Sequence, residues 1–317
     1  MPASHASTAV IALGGNALAP SGARSTITDQ FRHTRESLEP VVDLARDGWR
    51  LCLVHGNGPQ VGDELLRNEA ARREAAPLPL GVLVAGTAGW IGYMIQQSLE
   101  NALRAAGSPR DVATIVTQVE VDAADPALRQ PTKFIGHELL PTRAAELVAE
   151  GHAVRADGRG RLRRVVPSPT PLGIHELRQI RQLVEHGTVV IAAGGGGAPI
   201  TWNHELCAWD GVDAVVDKDL AAAVLARDLG AELLVILTDV DAVYADWGTP
   251  AQRALPTLST AEAVALDAAG AFGEGSMAPK VRAAVDFVRT TGGRAVITEL
   301  HLGRAAVRGE TGTTITP

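Results

Sequence analysis

The stretch Val212–Tyr244, VDAVVDKDLAAAVLARDLGAELLVILTDVDAVY, contains the residues around which the rest of the chain is organised. It predicts a short strand, the charged triplet Asp217-Lys218-Asp219, an alanine-rich helix that ends at Gly230, and the apolar strand Leu233–Leu237. Such a β-α-β unit presents one lysine between two carboxylates at the end of a strand, where open parallel sheets bind ligands. Two interpretations are open at this point: a phosphate-handling site, or a surface ion cluster at a helix start.

The length and charge of the chain limit the classes of protein to which it can belong. Its 317 residues suffice for one large α/β domain or for two lobes with a shared sheet. The apolar share of 46% and the charged share of 21% are ordinary for a globular protein. A net charge of −7 argues against general binding to nucleic acid or to a membrane surface. A local cluster of lysines can still bind an anionic substrate, because it dominates at short range.

The number of cysteines and the lack of a long apolar run favour a location in the cytoplasm. Cys52 and Cys207 are too few for a disulfide framework or a four-cysteine metal site, which favours a reducing compartment. The first residues lack the basic region of a signal peptide. The most apolar long segment, Val82–Ile95, is interrupted by polar and glycine positions and is shorter than a membrane span. We therefore expect a cytoplasmic protein that does not cross a membrane.

Three predicted strands each run into a glycine-rich turn. The pairs are Val10–Leu13 with Gly14-Gly15-Asn16, Trp49–Val54 with His55-Gly56-Asn57-Gly58, and Thr188–Ala193 with Gly194–Gly197. Glycines after a strand let the backbone approach a ligand and direct amide N–H groups at an anion, although one such pair is as often a plain tight turn. Three of them predict a shared crevice, which favours the phosphate-handling site. His55 could be a general base there, or could orient backbone groups.

The other elements are predicted from apolar periodicity and from glycine and proline positions. Helices are expected over 28–47, with a kink or a restart at Pro40, and over 60–75, 81–106 and 174–186. Strands are expected at 112–116, 294–298 and 312–316. Gly86, Gly89 and Gly92 lie inside the helix predicted over 81–106. Glycine is unfavourable in a helix interior, so these three suggest close packing against another helix.

Residues 122–165 differ in character because they lack a long apolar period and contain three prolines. A segment of this length without core patterning suggests an inserted subdomain or lid. Lys133, two residues after Pro131, could be lowered with such a lid onto a bound anion. The five arginines between Arg155 and Arg164 would suit nucleic-acid binding or a solvated hairpin. The scarcity of aromatic residues, 3% of the chain, favours the hairpin.

The inventory of polar residues suits phosphoryl transfer. Lys280 is predicted in the first turn of a helix, where a cation opposes the helix dipole unless an anion is bound. Ser-His-Asp, zinc-ligand and protein-kinase patterns are missing from the sequence. Phosphoryl transfer needs mainly alignment and positive charge, which Lys218 and Lys280 would supply, with Asp217 and Asp219 holding Lys218. The lack of a convincing general base fits an acceptor that is already a carboxylate.

Motifs spread in order along nearly the whole chain resemble those of the carbamate kinases, in the amino acid kinase superfamily. They are LGGNA at Leu13–Ala17, HGNGPQVG at His55–Gly62, PTK at Pro131–Lys133, VVPSP at Val165–Pro169, GGGG at Gly194–Gly197, DKD at Asp217–Asp219, LTDVDAV at Leu237–Val243 and GSMAPK at Gly275–Lys280. GGNA and DKD are weak singly, whereas HGNGPQVG together with GSMAPK is highly specific.

The resemblance implies a three-layer α/β/α sandwich with a mainly parallel open sheet and an inserted lid. It implies an acceptor lobe over about 1–211, the lid over about 122–165, and a nucleotide lobe over about 212–317. It also implies a homodimer and the reversible reaction of ATP and carbamate that gives ADP and carbamoyl phosphate, with Mg²⁺ held by phosphates and water rather than by a strong protein ligand.

The resemblance also implies roles for individual residues. The expected catalytic residues are Lys133, Asp217, Lys218 and Lys280, with Asp217 orienting Lys218. The expected acceptor and phosphate site consists of Gly14, Gly15, Asn16, Gly56, Asn57, Gly58, Gly194 and Gly195. The expected nucleotide site consists of Asp219, Thr238, Asp239, Tyr244, Gly275 and Met277.

Two positions depart from the family pattern. Ala88 stands where the family usually has the glutamine of QGxIGY, and PTKPIGP reads Pro131-Thr132-Lys133-Phe134-Ile135-Gly136-His137. Both departures bear on the choice of acceptor, because every phosphate-handling lysine is kept. Alternatives are therefore a related kinase that phosphorylates another small carboxylate or a phosphonate, and a nucleotide-binding sensor without turnover.

Overall fold

The computed structural model describes residues 7–15, 18, 26–272 and 277–317. The helices in these ranges are α1 (Ile27–Ser37), α2 (Glu39–Arg46), α3 (Gly58–Ala70), α4 (Leu80–Ala105), α5 (Pro141–Ala149), α6 (Leu177–Glu185), α7 (Lys218–Leu229), α8 (Thr260–Ala268), α9 (Met277–Thr291) and α10 (Gly303–Val307). None of them is both long enough and apolar enough to span a bilayer.

The strands in the same ranges lie before, between and after these helices, singly or in runs of up to four. They are β1 (Thr8–Leu13), β2 (Arg50–His55), β3 (Val112–Thr114), β4 (Gln118–Val121), β5 (Lys133–Ile135), β6 (Val154–Ala156), β7 (Leu162–Val166), β8 (Pro171–Ile174), β9 (Val189–Ile191), β10 (Ala198–Asn203), β11 (Ala208–Gly211), β12 (Leu233–Thr238), β13 (Tyr244–Ala245), β14 (Arg253–Ala254), β15 (Thr257–Ser259), β16 (Arg294–Glu299) and β17 (Thr313–Thr316).

An eight-stranded sheet forms the centre of the molecule, in the order β15-β17-β16-β12-β1-β2-β9-β3. Neighbouring strands are parallel except β16 with β17. Buried side chains along β1 alternate between the two faces of the central sheet, and helices cover both faces. Ala9, Ile11 and Leu13 pack into a core with α2 and α4, whereas Val10 and Ala12 pack into a second core with α7 and α9. The predicted three-layer α/β/α sandwich with a mainly parallel sheet is confirmed.

Smaller sheets lie outside this centre. One has the order β11-β10-β4-β8 and another has the order β5-β7-β6, while β13 pairs with β14. The sheet β5-β7-β6 and helix α5 occupy the second part of the segment that was predicted as a lid, and β7 continues to Val166. We call residues 133–166 the lid.

The predicted strand before Asp217 is wrong. Residues 212–217 are all described and form an irregular segment, although Ala214, Val215 and Val216 are buried. The segment makes single backbone hydrogen bonds, such as Val215 N–H to the Pro167 carbonyl at 3.0 Å, and these do not continue into a ladder. The charged triplet therefore begins a helix without following a strand.

Several predicted boundaries also need correction. The helix expected over 28–47 breaks at Leu38, and Pro40 lies in the first turn of α2, so the chain restarts there. The helix expected from Ile174 begins at Leu177, because Pro171–Ile174 pair with β4 as strand β8. Other ends shift by a few residues; α3, expected to reach residue 75, ends at Ala70.

The glycines inside α4 do not share one role. A Cβ on Gly92 would lie 2.2 Å from the Thr114 methyl group, so this glycine lets α4 pack closely on strand β3 rather than on another helix. A Cβ on Gly86 would meet open space.

Candidate active site

Four neighbouring parallel strands, β12, β1, β2 and β9, end at the same edge of the central sheet. Because parallel strands have their carboxyl ends on one side, the three glycine turns that follow β1, β2 and β9 come together there. A Cβ placed on Gly56 would lie 3.5 Å from the backbone nitrogen of Gly15. The structure thus builds the shared crevice that the sequence predicts.

The turn after β9, Gly194–Gly197, has no room for side chains. Its last three residues have φ values of 68°, 91° and 84°, a left-handed region that favours glycine. Added Cβ atoms would lie 2.2 Å from the Asn57 side chain at Gly195, 2.3 Å from the Val216 carbonyl oxygen at Gly196 and 2.2 Å from the Val119 methyl group at Gly197. The glycines therefore let this turn pack against three neighbouring segments.

Asn57 connects the second glycine turn to the third and to helix α4. Its Nδ2 donates a hydrogen bond to Thr87 Oγ1 at 2.9 Å, and its side chain fills the space that a Cβ on Gly195 would need. The Asn57 side chain is therefore buried beneath the crevice, and its contribution to a bound anion would come from its backbone. Asn16, expected at the same site, lies outside the described residues.

Helix α7 begins with a carboxylate cap. Asp217 Oδ1 accepts hydrogen bonds from the backbone N–H groups of Asp219 at 2.9 Å and Leu220 at 3.4 Å. Its Oδ2 accepts a hydrogen bond from Lys133 Nζ, which reaches over from strand β5 of the lid. Asp217 was expected to orient Lys218, but its direct side-chain contact is with Lys133, because the cap turns this carboxylate toward the first turn of the helix.

Asp219 binds two lysines from different helices. Its Oδ1 accepts a hydrogen bond from Lys218 Nζ at 2.5 Å, and its Oδ2 accepts one from Lys280 Nζ at 3.1 Å. Only 12%, 4% and 11% of the Lys218, Asp219 and Lys280 side chains are exposed. The Lys218 Cδ lies 3.2 Å from a Cβ position on Gly56, which places this lysine over the second glycine turn.

The structure thus joins the four residues expected to be catalytic, together with Asp219, in one set of contacts. We call Lys133, Asp217, Lys218, Asp219 and Lys280 the lysine–aspartate cluster. When all five are ionised, three ammonium groups and two carboxylates leave one net positive charge. A bound anion can balance that charge.

Burial and pairing act in opposite directions on the pKa values in the cluster. Burial raises the pKa of Asp219, but the Lys218 and Lys280 ammonium groups outweigh it and hold this pKa below its usual value. Burial likewise opposes ionisation of Asp217, and Lys133 reverses the effect, so that this pKa is also lowered. Burial lowers the pKa of Lys218 in spite of Asp219. Burial also acts to lower the pKa of Lys280, but the carboxylates of Asp219, Asp217 and Asp239 together outweigh it and raise this pKa.

The lid packs closely on helix α3, whose first turn belongs to the crevice. The Gly136 N–H donates a hydrogen bond to the Gly58 carbonyl at 3.0 Å. A Cβ on Gly62 would lie 2.0 Å from the Gly136 Cα, so the two backbones touch at this point. His137 Nε2 lies 3.1 Å from Asp63 Oδ1, which adds a polar contact at an altered lid position.

The arginine-rich segment of the lid is only partly the solvated hairpin that was predicted. Arg155 is exposed on strand β6, and Arg159 is exposed on the turn between β6 and β7. Arg164, in contrast, pairs with Glu69 of α3, and the Arg163 guanidinium lies 5.6 Å from the centre of the Phe134 ring. The second half of the segment therefore holds the lid together and binds it to α3.

The residues expected at the nucleotide site are spread over the adjoining edge. Thr238 and Asp239 follow β12 and line, with Gly14, a cavity of about 280 Å³. The Tyr244 hydroxyl donates to Asp241 at 2.8 Å. Met277 begins α9, the helix that carries Lys280, and Gly275 lies outside the described residues. Within the described ranges, no group of three or more histidine, cysteine, aspartate and glutamate residues is arranged to hold a metal ion.

The residues that support the crevice from below were not predicted from the sequence. Thr87 bonds to Asn57, and Thr117 Oγ1 accepts from the N–H of Ala193, which has a left-handed φ of 48°. A threonine in a helix or an alanine before glycines gives little signal of such roles. Ala88, noted as a departure, is buried against the same turn, since its Cβ lies 3.0 Å from a Cβ position on Gly194.

Comparisons with known proteins agree on one family. A profile of the Amino acid kinase family matches residues 7–299. A carbamate kinase of Halobacterium salinarum is 46% identical over 311 residues, which cover 97% of this chain and 98% of that protein. A carbamate kinase of Haemophilus influenzae is 45% identical over 309 residues, with coverage of 97% and 96%.

Solved structures give the same result. Carbamate kinase from Giardia lamblia bound to citric acid superposes with a TM-score of 0.93 at 38% identity, over 98% of this chain and 99% of that chain. The same kinase bound to AMP-PNP gives a TM-score of 0.90 with the same identity and coverage. The chain therefore belongs to the amino acid kinase family and, within it, to the carbamate kinases.

Proposed function

We propose that the protein catalyses reversible phosphoryl transfer between ATP and carbamate, giving ADP and carbamoyl phosphate, at the crevice above the three glycine turns. The observation that carries this proposal is the convergence of Lys133, Lys218 and Lys280, from three separate segments, on two adjacent carboxylates of α7. The relatives and solved structures named carbamate kinase support the same reaction.

The charges at the crevice suit this chemistry. An oxygen of the carbamate carboxylate forms a bond to the γ-phosphorus while the bond to the oxygen that leaves with ADP breaks, and negative charge spreads over the transferring group. The net positive charge of the lysine–aspartate cluster would stabilise that charge in a partly dry site, where electrostatic attraction is stronger than in water. Carbamate is already an anion, so its attack needs no base.

The residue roles follow from the contacts. We assign the acceptor and phosphate site to the backbone amides of Gly14, Gly15, Gly56, Asn57, Gly58, Gly194 and Gly195. Lys133 would close over the acceptor with the lid, with Asp217 orienting it, and Lys218 and Lys280, held by Asp219, would contact the transferred phosphoryl group. Thr238, Asp239, Tyr244 and Met277 would lie on the nucleotide side, in a lobe of about residues 212–317.

Mg²⁺ fits this site as a companion of the nucleotide. Both carboxylates of the cluster are engaged by lysines, so they offer no ready set of metal ligands. Mg²⁺ commonly keeps several waters and binds substrate phosphates, where it would neutralise part of their charge. We propose this arrangement for the present protein.

We also propose a homodimer, in which α4 is the first candidate contact. Val82 and Tyr93 on this helix are 49% and 57% exposed, and a Cβ on the intervening Gly86 would meet open space. Exposed apolar side chains on one helix face are typical of subunit interfaces. Light scattering on Tyr93→Glu, compared with the unchanged protein, tests the proposal; an unchanged dimer mass would exclude this face.

A substrate panel tests the reaction. ATP formation from ADP is measured with carbamoyl phosphate and with acetyl phosphate, and ADP formation from ATP with carbamate, acetate and a small phosphonate. We expect turnover with carbamoyl phosphate and carbamate at rates far above the others. Turnover with acetate or the phosphonate instead would establish a related kinase, and nucleotide binding without any turnover would establish a sensor.

A further inference from the structure

His55 lies at the end of β2, beneath the crevice, and does not belong to the lysine–aspartate cluster. Only 1% of its surface is exposed. Its Nδ1 lies 3.0 Å from the Gly56 carbonyl oxygen, and because a carbonyl only accepts, Nδ1 must carry the proton. Its Nε2 has no hydrogen-bond partner among the described residues and lies 2.5 Å from a Cβ position on Gly194.

The hydrogen bond to Gly56 fixes the peptide that follows it. The Gly56–Asn57 peptide is trans, so the Gly56 carbonyl and the Asn57 N–H point in opposite directions. The carbonyl faces the buried imidazole, so the N–H of the same peptide faces away from it. Gly15 and Lys218 lie close to Gly56, within 3.5 Å of its Cβ position. Nothing in the described part of the chain accepts a hydrogen bond from the Asn57 N–H.

We propose that His55 is a positioning residue whose Nδ1–H holds the Gly56–Asn57 peptide so that the Asn57 N–H faces the reacting anions. This inference rests on the function proposed above. Without the imidazole, the peptide can rotate and bring the Gly56 carbonyl oxygen into the crevice, where its partial negative charge repels carbamate and phosphoryl oxygens. A fixed backbone donor of this kind stabilises charge that develops in the transition state.

The surroundings of His55 keep it in the required form. Burial lowers its pKa to about 4, against the opposite effects of the Gly56 and Ala88 backbone groups, so the imidazole stays neutral at physiological pH. The Nδ1 contact with the Gly56 carbonyl then assigns the single ring proton to Nδ1. The tight packing of Nε2 under Gly194 separates this nitrogen from the crevice. His55 therefore does not act as the general base that was the other interpretation of the sequence.

Two matched substitutions separate positioning from packing. In His55→Asn the side-chain amide nitrogen can occupy the Nδ1 position, whereas in His55→Gln it lies one bond further out and cannot reach the Gly56 carbonyl. We expect His55→Asn to keep kcat within about tenfold of the unchanged protein. We expect His55→Gln to lose about 10²- to 10³-fold, the effect of removing one oxyanion-type donor, with the KM for ADP changed less than about threefold.

The control is Cys52→Ala, which removes another buried side chain from the same strand without touching Gly56. It should lower thermal stability and leave kcat unchanged. Equal kcat values for His55→Asn and His55→Gln, or a kcat loss in Cys52→Ala as large as that in His55→Gln, would overturn the proposal.

Nitrogen NMR of the unchanged protein tests the same point without any variant that must fold. Histidine-labelled protein should show His55 as the neutral tautomer with its proton on Nδ1, and a proton on Nε2 instead would overturn the proposal. This result does not depend on the substrate. If the protein fails to turn over carbamoyl phosphate, the proposed function fails while the tautomer still decides the role of His55.

Discussion

The lysine–aspartate cluster and the exposed half of the lid hairpin both concentrate charge, yet they differ in what that charge can do. In the cluster, side chains that are 4–12% exposed, from two helices, share one carboxylate, Asp219. In the hairpin, Arg161 pairs with Asp157 four residues away, and the Arg161 side chain is 36% exposed against 9% for that of Asp157. Water and salt screen the second pair and hardly reach the first. Charge that is buried and shared between elements is therefore the charge that can act on a substrate.

The largest effect should come from removing the central charge of the cluster. Lys218→Ala should lower kcat at least about 10³-fold, because a preorganised positive charge at the transferring phosphoryl group is lost in a site with little water. Circular dichroism should show that the fold is kept.

The matched control removes an equal charge from the exposed hairpin. Arg159→Ala should leave kcat within about twofold, since surface charges contribute little. A similar loss of activity in both variants would contradict the distinction between the two regions.

Removing a carboxylate should change the free energy of unfolding much more in the lysine–aspartate cluster than in the hairpin. Asp219→Asn leaves the buried Lys218 and Lys280 ammonium groups without their carboxylate and should lower the free energy of unfolding by about 3 kcal/mol. Asp157→Asn keeps an oxygen that accepts from backbone N–H groups of the hairpin turn and loses only the charge paired with Arg161, so it should lower this free energy much less. Urea denaturation followed by circular dichroism measures both. An unchanged midpoint for Asp219→Asn would show that the cluster is more hydrated than its burial indicates.

Buried His55 should make stability depend on pH. Its pKa falls from 6.5 to about 4 on folding because of burial. Between these pH values the unfolded chain binds a proton that the folded chain does not, so the free energy of unfolding should decrease by about 3 kcal/mol as the pH falls from 6.5 to 4. His55→Asn should remove this part of the dependence. Denaturant unfolding at several pH values measures it, and parallel curves for the two proteins would contradict the assignment.

A substitution at the contact between the lid and α3 should lower kcat by less than Lys218→Ala does. Gly62→Ala places a methyl group 2.0 Å from the Gly136 Cα, so the lid must move away and Lys133 with it. We expect kcat to fall about tenfold or more, because small displacements of a positioning group are costly. Gly158→Ala in the hairpin turn, where an added Cβ meets nothing, should change kcat by less than about twofold. Equal rates in the two variants would show that lid packing does not control turnover.

Much of the site could be predicted from the sequence because its parts follow strong local patterns. Apolar strands that end in glycine turns predicted that Gly14, Gly56 and Gly194 lie at one edge of the sheet, and the structure places them there because parallel strands share that edge. The start of α7 was harder. Val212–Val216 is apolar apart from Asp213 and resembles a strand, but its backbone makes single hydrogen bonds to Pro199 and Pro167 and does not join a ladder. The pattern of apolar residues indicates which side chains are buried. It does not show which groups form hydrogen bonds with the backbone of a segment.

Long-range partners were the part that the sequence could not provide. Asp217 and Asp219 flank Lys218 equally in the chain, yet one caps α7 and meets Lys133 while the other binds Lys218 and Lys280. That division depends on where the lid and α9 dock. Likewise Arg163 and Arg164 could not be distinguished from Arg155 and Arg159 before the positions of Phe134 and Glu69 were known. The cytoplasmic location stays a prediction.

The role of Lys218 is tested most directly by the initial rate of ATP formation from ADP and carbamoyl phosphate, measured side by side for the unchanged protein and for folded Lys218→Ala. We predict rapid ATP formation by the first and a rate at least about 10³-fold lower for the second, because Lys218 supplies the central charge. Comparable rates for the two proteins would contradict the account of the lysine–aspartate cluster given above.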